Sequence, residues 1–164
     1  MTDTQITQED LAESLRLDQA RFDNVTQSLS ETEQVTPFTA EGWSVKDFLA
    51  HMAHWKQAAH AFLVAFVHDQ PLPSVVESGD EANAIQQQIY ASFSLQEAQS
   101  FWQETHTHIL HLVVDELDKD HLTAEVHVPW DAEDTEQACT LVMQMCEHDV
   151  EHFEIIEGYF NLAR

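Results

Sequence analysis

Two histidines near the carboxyl end of the chain, His148 and His152, have the spacing of paired metal ligands. Side chains at positions i and i+4 of a helix project from consecutive turns, so both imidazoles can reach one ion. At about 100° per residue they share a narrow apolar sector, which predicts that both face inward. The apolar members of that sector are Leu141, Met145, Ile155 and Tyr159. Two interpretations stay open. In the first, both imidazoles bind one metal ion, which offsets the cost of removing them from water. In the second, each is a core histidine with its own hydrogen-bond partner.

A third histidine, on an earlier predicted helix, decides between these alternatives. His51 lies one turn from Phe48 and one turn from Trp55, at the edge of an apolar face. His54 lies about 60° further round the helix, toward solvent. His51 is therefore the better candidate for the third ligand, and His54 is a candidate for a surface residue or for a hydrogen-bond partner of a ligand.

Carboxylates near these histidines are candidates to hold the second ring nitrogen of a ligand or to act as bases. Asp47 comes one turn before His51, and Asp149 and Glu151 lie beside the last histidine pair. The chain has 30 Asp and Glu residues, so each of these neighbours can also arise by chance.

Four large residues flank the proposed ligands and are candidates to line an apolar pocket. They are Met52, Trp55, Met145 and Tyr159. Residues of these types in an apolar stripe are more often ordinary core, so we expect at most two of them to contact a bound molecule.

The elements that position these residues are predicted from helix caps and from apolar spacings of three and four. The chain has only 3 Gly and 4 Pro, which also favours helices. Helices are predicted over residues 9–29, 44–67, 81–91, 94–117 and 134–162. Residues 121–131 alternate weakly and contain Pro129, so we expect an extended crossing without a true strand. The pattern predicts one all-α domain over residues 1–164, a four-helix bundle with a long crossover and one short extra helix.

The first predicted helix contains one anomaly. Asp18 interrupts its apolar stripe between Leu15 and Phe22. A carboxylate there could approach the metal site from a facing helix, or it could pair with Arg21 or lie near a solvated end. Because carboxylates are rarely buried without a partner, the second interpretation is favoured.

The charge balance excludes several classes of partner. The formal net charge is -24, and only 6 Lys and Arg residues occur. They are dispersed as Arg16, Arg21, Lys46, Lys56, Lys119 and Arg164. Since no basic patch is available for phosphates or anionic headgroups, we expect neither a nucleic-acid nor a membrane partner.

A cytoplasmic location is expected by default. Neither end carries a basic and apolar leader, and no apolar run approaches the roughly 20 residues that span a bilayer. Cys139 and Cys146 lie about two helical turns apart, too far for a disulfide bridge. So few cysteines fit a reducing compartment.

The histidine segments also carry a family resemblance. The run GWSVKDFLAHMAHW from Gly42 to Trp55, followed by HDVEH at 148–152, resembles the DinB-like superfamily of metal-dependent enzymes. In that family a Trp-Ser-x-x-x-x-Leu-x-His segment supplies one metal ligand and a His-x-x-x-His segment supplies two. The resemblance therefore implies His51, His148 and His152 as ligands, and it implies a homodimer. The segment 80–84 is also similar to the branch typified by the colibactin self-resistance protein.

Three imidazole ligands leave coordination positions open, as in catalytic sites. Zinc, nickel or iron(II) would suit them. Such an ion activates a water or a substrate thiol, which predicts a metal-dependent hydrolase or a thiol-dependent transferase for a small molecule, of the detoxification or self-resistance type. Few arginines are available to bind an anionic thiol, so a neutral or cationic substrate is favoured. The alternative is a non-catalytic helical module that binds a ligand or its own copy, with structural histidines.

Overall fold

The computed structural model describes residues 6–163, so residues 1–5 and Arg164 lie outside the described part of the chain. Within residues 6–163 the chain forms seven helices and two strands. In chain order these are α1 (Gln8–Ser28), α2 (Glu31–Val35), α3 (Val45–Val67), α4 (Asp80–Tyr90), α5 (Leu95–Asp115), α6 (Lys119–Thr123), β1 (Glu125–Val128), β2 (Asp131–Gln137) and α7 (Ala138–Phe160).

The four long helices α1, α3, α5 and α7 form the bundle, and the predicted all-α class is confirmed. Helix α1 packs against α5 and α7, and α3 packs against the same two helices. Helix α3 begins with a capping box, in which the Ser44 and Asp47 side chains each accept a hydrogen bond from the other's backbone N–H. Helix α7 ends at Phe160, and the next residue, Asn161, caps it with a left-handed backbone conformation.

The segment before α7 departs from prediction. Strands β1 and β2 pair in antiparallel register, with Val126 opposite Glu136, so the expected strand-free crossing is wrong. Pro129 lies in the turn between the strands, where its missing N–H removes no ladder hydrogen bond. Because β2 continues to Gln137, α7 begins at Ala138 and not at the predicted Asp134.

The buried face of α7 is also rotated relative to the prediction. Ile155 is 47% exposed and Tyr159 is 59% exposed, whereas Phe153 and Ile156 are buried. The buried face passes through Asp149, which a pattern search for apolar residues does not count as an inward position. The two histidines of α7 therefore lie at the flank of its buried face and are half-buried.

One polar side chain from each long helix meets the others in the middle of the core. These four residues, which we call the polar layer, are Asp18 of α1, Lys56 of α3, His106 of α5 and Asp149 of α7. The layer separates two apolar clusters, one containing Leu15, Ala59, Ile109 and Met145 and the other containing Phe22, Met52, Trp102 and Phe153.

Asp18 was expected to pair with Arg21 or to lie near a solvated end, and both expectations are wrong. It is 1% exposed, and its Oδ2 lies 3.8 Å from Nζ of Lys56. Arg21 instead contacts Glu154 and Glu157 of α7.

Cys139 and Cys146 form no disulfide with each other, as their spacing predicts, and both side chains are buried. Within residues 6–163, none of the helices combines the length and the apolar character needed to cross a membrane.

Candidate metal centre

The three predicted ligands converge between α3 and α7. His51 projects from α3, and His148 and His152 project from α7. Nε2 of His148 lies 3.2 Å from Nε2 of His51 and 3.0 Å from Nε2 of His152. Three imidazoles on one tetrahedral zinc ion hold their nitrogens about 3.3 Å apart, because each Zn–N bond is about 2.0–2.1 Å long. The cluster is therefore of a size that can hold one ion.

The other ring nitrogen of His51 has a buried partner. Nδ1 lies 3.1 Å from Oε1 of Gln86, on the short helix α4. An amide oxygen only accepts hydrogen bonds, so this contact requires the proton of His51 on Nδ1. The lone pair of Nε2 then points at the cluster, as a metal ligand requires.

The outer nitrogens of the two α7 histidines have no hydrogen-bond partner among the described residues, although both are buried. Nδ1 of His148 lies 3.8 Å from Oδ1 of Asp149, and this oxygen also lacks a hydrogen bond. The distance is too long for a hydrogen bond, but a small side-chain rotation closes it. Asp149 is thus the carboxylate best placed to hold the Nδ1 proton of His148.

Burial keeps His51 and His152 neutral. Burial and, second, the neighbouring His148 lower the pKa of His51 to about 4. Burial also lowers the pKa of His152 to about 3, together with the other two histidines. Metal ions bind neutral imidazole, so these shifts keep lone pairs available at neutral pH.

Three other candidates for partners of the ligands lie elsewhere. Asp47 accepts a hydrogen bond from Oγ of Ser44 at 2.6 Å, so it caps α3 and does not hold His51. Glu151 is exposed and lines a groove between α1 and α7, away from the three ligands. His54 is half-buried, and its Nδ1 lies 2.9 Å from the hydroxyl of Tyr90 on α4, so this nitrogen has a partner other than a ligand.

Two clefts meet at the histidine cluster, and His51 and Asn83 line both. The larger has a volume of about 690 Å³ and also contains His152. The smaller has a volume of about 360 Å³ and also contains His148. Oδ1 of Asn83 is buried without a hydrogen-bond partner among the described residues. A small molecule can therefore reach the cluster through either cleft, and in both it passes the amide oxygen of Asn83.

The cleft walls are aromatic, and their charges are negative. Trp43 and Phe48 line the larger cleft together with Glu41 and Asp80. The smaller cleft is lined by Trp55, Trp130, Met145, Ser78 and Gly79. Among the described residues, neither set includes Lys or Arg. A hydrogen bond from the Val76 backbone N–H to the Pro129 carbonyl, 2.7 Å long, joins the loop after α3 to the β-turn that carries Trp130.

Two of the four predicted pocket residues lie elsewhere. Trp55 and Met145 line the smaller cleft. Met52 is fully buried in the core, and Tyr159 is exposed and packs on Phe38 at 4.7 Å between ring centres. The prediction for Tyr159 fails because the buried face of α7 is rotated.

The sequence of this site matches a family model. The model, described as the DinB superfamily, covers residues 14–156. The chain belongs to the DinB superfamily. No curated protein matches it, so the resemblance to the colibactin self-resistance branch stays a prediction.

Two solved structures share the DinB fold of this chain. YfiT from Bacillus subtilis, described as a probable metal-dependent hydrolase with an unusual four-helix bundle topology, is 11% identical with a TM-score of 0.66. The match covers 99% of this chain and 94% of YfiT. The mycothiol-dependent maleylpyruvate isomerase is 15% identical with a TM-score of 0.69, and the match covers 90% of this chain and 60% of the isomerase chain. At these identities the likeness establishes the fold alone.

Sequence reasoning missed several residues around this DinB site, most clearly Gln86 and Asn83. Both lie on the inner side of α4, where the weak apolar pattern of a short helix does not define a face. Lys56 was counted only as a dispersed surface charge, although it is fully buried. Its position among apolar residues of α3 was the available signal.

Proposed function

We propose that this protein is a metal-dependent enzyme in which Nε2 atoms of His51, His148 and His152 bind one divalent ion. The convergence of these nitrogens at the meeting point of two clefts carries the proposal. The description of YfiT as a probable metal-dependent hydrolase supports the same class. Zinc, nickel and iron(II) are the candidate ions, because all three suit imidazole ligands.

A divalent ion at this position supplies Lewis-acid chemistry, which lowers the pKa of a water or thiol and generates a nucleophile at neutral pH. The chain's own residues prepare the ligands. Burial keeps His51 and His152 uncharged, and Oε1 of Gln86 accepts a hydrogen bond from Nδ1 of His51. Asn83 offers a free acceptor oxygen that can orient the N–H or O–H group of a bound molecule.

The substrate class follows from the cleft walls. Aromatic faces such as Trp43 attract cations and apolar groups, and the carboxylates of Glu41 and Asp80 add negative charge. An anionic thiol would need cations, and the described lining residues include no Lys or Arg. We therefore favour hydrolysis of a neutral or cationic small molecule over transfer to an anionic thiol such as the one the isomerase is named for.

Two further expectations belong to this proposal. The protein acts on small molecules in the cytoplasm, in keeping with a chain of net charge -24 that lacks a basic patch. It forms a homodimer, as the family resemblance implies. Sedimentation equilibrium of the purified chain measures this second point directly.

Metal content and activity test the proposal together. The chain is purified without a histidine tag, and bound metal is measured for the wild type, the His148→Ala and His152→Ala variants and His111→Ala. His111 is the control because its side chain is 66% exposed and lies on α5. We expect one ion per chain in the wild type and His111→Ala, and a large loss in the other two.

Activity is then screened with ester, amide and lactone substrates that carry either a neutral or a quaternary ammonium group. Hydrolysis that requires both the metal and His148 supports the enzyme. Stoichiometric metal that survives His148→Ala and His152→Ala contradicts the site. A bound ion that no small ligand can reach contradicts catalysis and leaves the structural alternative.

A further inference from the structure

The polar layer lies directly behind the histidine cluster. Asp149 belongs to the layer and follows the ligand His148 in the chain, and Lys56 lies just over one turn after the ligand His51 on α3. The layer and the metal centre therefore share two helices. A charge held in the core can act on the ligands through these neighbours.

The Lys56 ammonium is fully buried, and each of the other long helices supplies it with a polar neighbour. Nζ lies 2.5 Å from Oδ2 of Asp149, 3.0 Å from Nδ1 of His106 and 3.8 Å from Oδ2 of Asp18. It also lies 4.3 Å from the centre of the Trp102 ring. A buried cation with these neighbours has one fixed position.

One oxygen of Asp149 accepts hydrogen bonds from two buried donors. Oδ2 accepts from Nζ of Lys56 and, at 2.9 Å, from the indole N–H of Trp102. Oδ1 points the other way, toward Nδ1 of His148 at 3.8 Å. Two donors from α3 and α5 thus set the orientation of a carboxylate on α7, and its second oxygen faces a metal ligand.

We propose that Lys56 is a positioning residue for the ligand His148 and that it acts through Asp149. With Oδ2 held by Lys56 and Trp102, Oδ1 accepts a hydrogen bond from the Nδ1–H group of His148, and Nε2 keeps its lone pair for the ion. The inference rests on the metal site of the proposed function. It adds a specific route by which the bundle core selects the tautomer of one ligand.

A purely structural role for Lys56 makes a different prediction. Breaking a buried ion pair costs stability whatever lies beyond it, so a stability loss alone supports neither role. The positioning role also requires a change in the His148 tautomer. The tautomer is visible in the ring ¹⁵N shifts of the metal-free protein, independently of metal binding.

Asp149→Asn is the sharpest variant, because an amide has one acceptor and one donor side. Its oxygen pairs with Lys56 and Trp102, and its NH₂ group then faces Nδ1 of His148. We expect the His148 proton to move to Nε2. Zinc affinity should fall by about 10–100-fold, the usual effect of losing a partner of a metal ligand.

Two companion variants keep the test valid if Asp149→Asn folds poorly. Lys56→Met removes the cationic donor to Oδ2 and keeps an unbranched side chain, so we expect a partial tautomer shift and a loss in zinc affinity smaller than the roughly 10-fold lower bound for such partners. Gln34→Leu is the matched control. It removes the buried hydrogen bonds of Gln34 to the Thr26 and Leu29 carbonyls, far from the polar layer. It should lower the melting temperature and change neither the tautomer nor the zinc affinity.

The outcomes separate this inference from the proposed function. If the wild type binds zinc but Asp149→Asn and Lys56→Met retain its affinity and its His148 tautomer, the positioning role is wrong and the metal site stands. If the wild type binds no metal while Asp149→Asn and Lys56→Met still move the His148 proton, the positioning role stands and the metal site is wrong.

Discussion

His51 and Gln86 are joined by a buried hydrogen bond, 3.1 Å long, between Nδ1 of the imidazole and Oε1 of the amide. The bond connects the bundle helix α3 to the short helix α4, which covers the clefts. Since it fixes the proton of His51 on Nδ1, it prepares Nε2 for an ion. Helix α4 therefore contributes to the proposed metal centre without supplying a ligand.

Replacing Gln86 tests this contribution. In Gln86→Leu the Nδ1 proton of His51 loses its acceptor, so zinc affinity should fall by roughly 10-fold or more. Competition with a chromophoric chelator measures the affinity. Gln88→Leu is the control, because Gln88 lies on the exposed face of α4. Equal affinities for the two variants would show that the His51–Gln86 bond does not support the site.

The metal-free protein should lose stability as the pH falls through about 6.5, the ordinary pKa of histidine. Mainly through burial, the folded-state pKa of His51 is lowered to about 4, and those of His106 and His152 are lowered to about 3. Between those values and 6.5 the unfolded chain binds more protons, so the free energy of unfolding decreases toward acid pH. Urea denaturation at pH 5.5 and 7.5 measures the change. A stability that is constant over this range contradicts neutral, buried imidazoles.

Asp18 should act in the opposite direction. Burial raises its pKa to about 7, with part of the effect offset by Lys56. Between the unfolded value of 3.8 and 7 the folded chain binds more protons, so the contribution of Asp18 to stability is lost as the pH rises. The free energy of unfolding of Asp18→Asn should therefore increase relative to that of the wild type as the pH rises from 4 to 7. Above pH 7 the difference should stay constant.

The control for Asp18→Asn is Glu104→Gln on the exposed side of α5. The gain in stability that we expect for Asp18→Asn should be absent from this variant. If Asp18→Asn behaves like Glu104→Gln, or is destabilised at pH 8, an ionised Asp18 is a favourable partner of Lys56 and the predicted direction of the pH dependence is wrong.

Cobalt(II) substitution tests whether the site is open. His51 and His152 line the larger cleft, and the side chain of His148 is 26% exposed. A small thiol such as 2-mercaptoethanol should therefore reach the ion and produce a thiolate-to-cobalt charge-transfer band. Asn83→Leu, which narrows both clefts, should weaken that response. A spectrum that the thiol leaves unchanged indicates a closed, structural site.

The ligand candidates were predictable because they depend on local spacing. His148 and His152 are one turn apart on α7, and His51 lies within a segment that carries the family pattern. The four-helix bundle was predictable for the same reason, since caps such as Ser44 and long apolar stripes are local signals. Local patterns locate helices well, but on α7 they misplaced the buried face, because that face passes through the charged residue Asp149.

The partner of His51 was not predictable, because it comes from a long-range contact. Gln86 reaches His51 from a helix that sequence patterns barely define, and Asp47 was the wrong choice because capping α3 uses its carboxylate. Asp149 was predicted as a partner of the ligands, but its buried contact with Lys56 was missed for another reason. Charged residues are expected on the surface, yet in this bundle opposite charges from different helices meet in the core and stabilise one another.

The most direct test of the central claim is an anomalous diffraction experiment on crystals of tag-free protein, with data collected on both sides of the absorption edge of the metal found by elemental analysis. We expect one anomalous peak about 2.0–2.1 Å from each of the three Nε2 atoms of His51, His148 and His152. A crystal of metal-supplemented protein with no peak between these atoms, or with its metal bound to other residues, would contradict the claim.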